Sequence, residues 1–194
     1  AYLLMQIYSA TLGMGIYFMK YVLGDEEIFG VFAWAINIPM IAGLLLTPIL
    51  VKKLGGMYRL NIVGYIVGVL GRMGVLIAGY MGSIPIMLAF TAVAALGMSP
   101  LQGDMNALIA TTSEYTRLTT GKKVDGIMYS CTSFGTKVGG GIGTAIAGWL
   151  LAASGYVENA AVQSESCLNM LHVMYLWLPM IFNILITIVL IKLN

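Results

Sequence analysis

Three ionisable side chains stand inside otherwise apolar runs of this sequence: Arg72, Asp104 and Lys137. If those runs cross a bilayer, a charge near its centre costs at least ~3 kcal/mol, so such residues face a bundle interior or an aqueous cavity and mark candidate sites. Lys137 has the most informative setting. Thr132, Ser133 and Thr136 share its stretch, and hydroxyls both donate and accept hydrogen bonds to a polar ligand. A structural ion pair with a carboxylate on another helix is the alternative, and the hydroxyl neighbours favour a substrate or ion site. Asp104 stands between Gln102 and Asn106, a polar cluster open to either reading. Arg72 has only glycine and aliphatic neighbours. That setting favours a structural pairing, with Asp104 the candidate partner.

Gly135, Gly139, Gly143 and Ala147 follow at intervals of four in the same stretch as Lys137. One helix face is then nearly free of side chains, and a second helix backbone can pack closely against it. The glycine run does not fit the dinucleotide fingerprint, because Thr144 stands where the third glycine belongs. Gly121-Lys122 is not the end of a phosphate loop either, since Thr116 occupies the place of the leading glycine. Cys131 and Cys167 show no metal or redox spacing, so no metal site and no cofactor is expected in this segment. The single histidine, His172, starts the last apolar run and reads as an interfacial ring.

The elements that carry these residues are membrane helices. Of 194 residues, 59% are hydrophobic and 9% charged, whereas soluble domains have about a quarter charged. A helix needs about 20 apolar residues to cross the hydrocarbon core. Apolar runs place six spans near 2–20, 28–50, 60–80, 84–110, 125–153 and 169–192. The fold class is therefore an all-α membrane protein in one six-helix transmembrane bundle. A net charge of +2 without a basic run excludes a nucleic-acid surface. Ala1 opens inside an apolar run with no basic region or cleavage site before it, which is not a signal peptide and points to a piece of a longer chain.

Lys52, Lys53 and Arg59 occupy one connection, and Arg117, Lys122 and Lys123 another, while the alternate connections hold only Lys20. By the positive-inside rule both termini of the segment are cytoplasmic, in a multi-pass protein of the cell membrane. Lys192 agrees with that orientation.

The loop between the fourth and fifth spans reads Glu114-Tyr115-Thr116-Arg117, then Thr120-Gly121-Lys122-Lys123-Val124-Asp125-Gly126. It resembles the signature of the glycoside-pentoside-hexuronide:cation symporters, the melibiose permease group of the major facilitator superfamily. Thr116 and Arg117 depart from that family's Gly and Glu. The continuation from Tyr129 through Lys137 to Gly139 is similar to the family's next helix, its membrane lysine included. The Gly155-Tyr156-Val157 turn and the polar segment after it also look like the family.

The resemblance implies that these spans form the C-terminal half of a twelve-helix transporter. It implies cation-coupled symport of a sugar or glycoside by alternating access, with sugar and Na⁺ or H⁺ bound between two halves. The partners are then the sugar, the coupling cation, the bilayer and the N-terminal half, whose carboxylates hold the cation. Lys137, Thr132, Ser133, Gln102 and Asp104 become substrate-binding candidates, with Gln102 in place of a tryptophan at the family's sugar site. Glu114, Tyr115, Arg117, Lys122, Lys123 and Asp125 become cytoplasmic gate candidates.

Two other classes compete with this reading. A membrane enzyme needs an acidic metal site or a nucleophile with its base, and one histidine with scattered acids supplies neither. A half-sized sensor or symmetric pore needs the same six spans without a second half.

Overall fold

The computed structural model describes residues 2–158, 160 and 162–192, and it is helical throughout apart from short connections. Asn159 and Ala161, in the polar segment after Gly155, lie outside the described residues. The first rod joins α1 (Tyr2–Gly13), α2 (Gly15–Phe18) and a π-helical turn at Met19–Leu23. Then come α3 (Ile28–Leu54), α4 (Met57–Tyr80), α5 (Ile84–Thr120) and α6 (Asp125–Ala153). The last rod joins α7 (Glu165–His172), a π-helical turn at Val173–Trp177 and α8 (Leu178–Lys192). Four of these rods, α3, α4, α5 and the last, are long and apolar enough to cross a membrane. The first is broken at Met14, and α6 is diluted by glycine and hydroxyl residues.

The break in the first rod has a packing reason. A Cβ on Gly15 would stand 2.7 Å from the Tyr175 ring, so the absence of a side chain just after the break lets the rod come close to the last one there. Gly121, with φ of 69°, ends α5 in the left-handed conformation that glycine adopts without strain.

α5 runs to Thr120, ten residues past the apolar run that suggested its end. Threonine hydroxyls are accommodated along the extension. Thr111, Thr112, Thr116 and Thr120 each donate to the carbonyl four residues back. Polar side chains satisfied inside the helix give it no reason to stop where the apolar residues stop. Glu114, Tyr115 and Arg117 are therefore helical rather than in a loop.

The tightest seam joins α4 to α5. Gly64 lies against Gly97, Gly68 against Met98, Gly71 against Ala94 and Gly74 against Phe90. A Cβ on Gly71 would come within 2.7 Å of the Ala94 amide nitrogen. In lipid no hydrophobic force holds helices together, so close van der Waals approach at small residues does. Two apolar clusters flank the middle. One gathers Phe18, Phe32, Met87, Leu171 and Leu176 at one end of the bundle, and the other gathers Tyr65, Leu101, Ile186 and Leu190 toward the opposite end.

Outside these contacts the surface is apolar, with Trp34, Ile38, Ile41 and Leu45 of α3 and Phe134 and Trp149 of α6 exposed. A water-soluble domain does not carry such a surface over whole helices. This is a membrane protein, and those faces meet lipid or other membrane segments.

Candidate functional site

α6 is held to the bundle chiefly through α1. A Cβ on Gly139 would come within 2.7 Å of the Leu3 carbonyl oxygen, and one on Gly143 within 2.8 Å of Ala10 Cβ. Ala147 continues the same buried line, and Gly135 is half-buried at its start. α5 is committed to α4 on its other side, so α5 and α6 stand apart. Between them and α1 lies a cavity of about 440 Å³.

Four of the five substrate-binding candidates converge there: Lys137, Thr132 and Ser133 of α6 and Gln102 of α5. Thr136 and Asn106 line it as well. Thr132 and Thr136 donate to the Met128 and Thr132 carbonyls at 2.9 and 3.0 Å, which leaves their oxygen lone pairs free to accept. Lys137 is exposed and forms no ion pair among the described residues. A structural pair for this lysine is therefore absent among them, and its ammonium is available to a ligand.

Sequence reasoning missed Gln6 and Ser9, which bring an amide and a hydroxyl from α1 into the same lining. Each is a single polar residue in an apolar run, a pattern that tertiary contact alone makes meaningful. Met5 and Met105 supply apolar surface beside them.

Asp104 lies outside this lining. It is 9% exposed, and its Oδ2 has no hydrogen-bond partner among the described residues. The expected Arg72–Asp104 pair is not formed. Arg72 instead donates from Nη2 to the Tyr8 hydroxyl, with its guanidinium 5.3 Å from the Tyr8 ring centroid. The glycine seam is the reason: it sets Gly71 beside Ala94, so Asp104 sits ten residues, or about 15 Å, further along α5.

The gate candidates lie at the end of α5 and the start of α6. Arg117 Nη2 donates to Glu114 Oε1 at 2.6 Å, within one helix turn, and both side chains are about half exposed. Ser113 is buried and donates to the Asp125 carboxylate, which ties α5 to the first turn of α6. A carboxylate in a helix's first turn is stabilised by the helix dipole. Tyr115, Lys122 and Lys123 are exposed, without ion pairs among the described residues.

Comparison with known proteins adds an independent line. Residues 3–194 match the family model described as MFS/sugar transport protein. The isoprimeverose transporter of Lactiplantibacillus pentosus is 28% identical over 166 residues, covering 86% of this chain and 34% of that protein. The glucuronide carrier protein homolog of Escherichia coli (strain K12) is 31% identical over 160 residues, covering 80% of this chain and 34% of its own. A putative sulfoquinovose importer of Salmonella typhimurium is 24% identical over 170 residues, covering 88% of this chain and 35% of the relative. The chain thus spans about a third of the length of these relatives.

Proposed function

Because this chain belongs to the MFS/sugar transport protein family, we propose that it supplies one half of a cation-coupled sugar or glycoside symporter. The observation that carries the reading is the polar cavity between α1, α5 and α6, with a lysine in its wall that forms no ion pair among the described residues. At about 440 Å³ it falls in the usual range for small-molecule sites, about 300–1,000 Å³. The amides of Gln6 and Gln102, the hydroxyls of Ser9, Thr132, Ser133 and Thr136, and the Lys137 ammonium match a ligand covered in hydroxyl groups. Met5 and Met105 suit the less polar face of a sugar ring.

In this reading the six rods are six spans with both ends cytoplasmic, in the cell membrane, and a second six-helix half closes the cavity from the open side. That half also supplies the carboxylates for Na⁺ or H⁺. Substrate binding near mid-membrane and rocking of the halves give alternating access. The Glu114–Arg117 pair and the Ser113–Asp125 tie stand at the cytoplasmic gate, with Tyr115, Lys122 and Lys123 beside them. The printed names of the relatives, for isoprimeverose, glucuronide and sulfoquinovose, support a sugar-derived solute.

The test is uptake of labelled glycosides, pentosides and hexuronides by cells expressing the intact protein, with and without Na⁺, beside a Lys137→Ala variant. Cation-stimulated uptake that falls by about tenfold or more in the variant is expected, as for loss of a charged hydrogen bond. Full activity in Lys137→Ala would remove the lysine from the site.

A further inference from the structure

A second, smaller cavity of about 90 Å³ opens beside the first, among α1, α3, α4 and α5. Met5, Ser9 and Gln102 line both, so the two chambers share a wall of three side chains. Tyr8, Tyr65 and Arg72 form its inner wall. Arg72 is 2% exposed, and its Nε and Nη1 have no hydrogen-bond partner among the described residues. Its bond to Tyr8 uses Nη2 alone, and neither ion pair among those residues includes it.

A guanidinium never gives up its charge in a protein, so burial cannot be relieved by neutralisation. An isolated buried charge is costly unless paired, and in a membrane it normally is paired. Among the described residues, the lining of the two chambers holds two cations, Lys137 and Arg72, and no carboxylate. Tyr8 accepts from Arg72 and keeps its own hydroxyl proton to donate. The pocket therefore presents donors around a positive charge, an arrangement that a neutral hydroxyl satisfies poorly and an oxyanion satisfies well. The planar fork of a guanidinium holds carboxylate-like groups through paired hydrogen bonds. A volume of about 90 Å³ exceeds the ~10–15 Å³ that one water needs and admits a group of a few heavy atoms.

We propose that Arg72 is an anion subsite of the transport cavity, taking a carboxylate or sulfonate carried by the sugar while the ring occupies the chamber beside Lys137. This rests on the sugar-transport reading and narrows it to acidic glycosides.

The experiment measures uptake by the intact protein of phenyl β-D-glucuronide, methyl 6-deoxy-6-sulfo-α-D-glucoside and neutral phenyl β-D-glucoside, in wild type, Arg72→Gln and Tyr8→Phe. At least one acid should be carried with kcat/KM about tenfold or more above the neutral glucoside, and Arg72→Gln should cut that ratio by about tenfold, as loss of a charge-assisted hydrogen bond dictates. Which acid responds distinguishes carboxylate from sulfonate. A wild type that carries the neutral glucoside and neither acid overturns the subsite and leaves sugar transport standing, as does a variant that loses acid and neutral uptake in parallel. Uptake of none of the three overturns the subsite, and the sugar-transport reading falls with it only if the wider panel of glycosides, pentosides and hexuronides is not carried either. Should Arg72→Gln fail to reach the membrane, Tyr8→Phe decides: the ratio is expected to fall by about threefold, and an unchanged ratio overturns the subsite.

Discussion

Gly139 of α6 and Leu3 of α1 lie backbone to backbone: a Cβ on the glycine would stand 2.7 Å from the Leu3 carbonyl oxygen and 3.0 Å from its Cα. Two positions before Gly139 along the same helix, Lys137 lines the cavity. The close approach therefore sets where the lysine stands relative to Gln6 and Ser9 of α1, and packing and site are one feature at this point.

Gly139→Val is expected to destabilise the protein by about 1–3 kcal/mol, the usual cost of forcing bulk into a packed contact, because the atoms it would meet, the Leu3 carbonyl oxygen and Cα and the Gln6 Cβ, belong to the α1 backbone or are fixed directly to it. Gly140→Ala is the control, since a Cβ there meets nothing within 4 Å. It should be neutral or stabilising by up to about 1 kcal/mol through helix propensity. Thermal unfolding of the purified intact protein in detergent compares the two, and equal loss in both would contradict the α1–α6 contact.

Removal of a cavity side chain should weaken substrate and spare the fold. Ser133 and Gln102 are both exposed to the cavity rather than buried in the bundle. Ser133→Ala or Gln102→Ala each deletes about one hydrogen bond, about 1 kcal/mol, and should raise the KM of the carried sugar by about fivefold. Uptake kinetics and a melting curve on the same samples separate this from unfolding. A fallen melting temperature with unchanged KM would assign both residues to structure.

Glu114 and Arg117 pair in the open, and exposed ion pairs contribute about 0–1 kcal/mol. Glu114→Gln should therefore leave the melting temperature nearly unchanged. If the pair belongs to a gate, the same substitution changes the turnover rate with little effect on KM. Turnover equal to wild type would leave the pair as a solvated helix end.

How far the site could be read beforehand depended on distance along the chain. Thr132, Ser133, Thr136 and Lys137 sit on one helix within a few residues, and the helical repeat brings such positions together whatever the rest of the fold does. The Arg72–Asp104 pairing crossed two helices. It required a register that neither helix states alone, and the meeting of Gly71 with Ala94 set a different one. The glycines of α4 that make this register, Gly64, Gly68, Gly71 and Gly74, show their meaning only against the residues of α5 that they meet. Helix ends were misjudged for a related reason: apolarity reports where lipid can be, and the threonine-rich end of α5 needs no lipid to stay helical.

By itself the sequence determined the solvent, the all-helical class, the family resemblance and the polar stretch around Lys137. These depend on composition and on neighbours within a few turns. Only the tertiary structure decided that Gln6 and Ser9 join Lys137 at one cavity, that Asp104 stays outside it, and that Arg72 opens onto a smaller cavity next to Tyr8. Those relations follow from how closely two backbones can approach, and closeness is a joint property of the small residues on both helices.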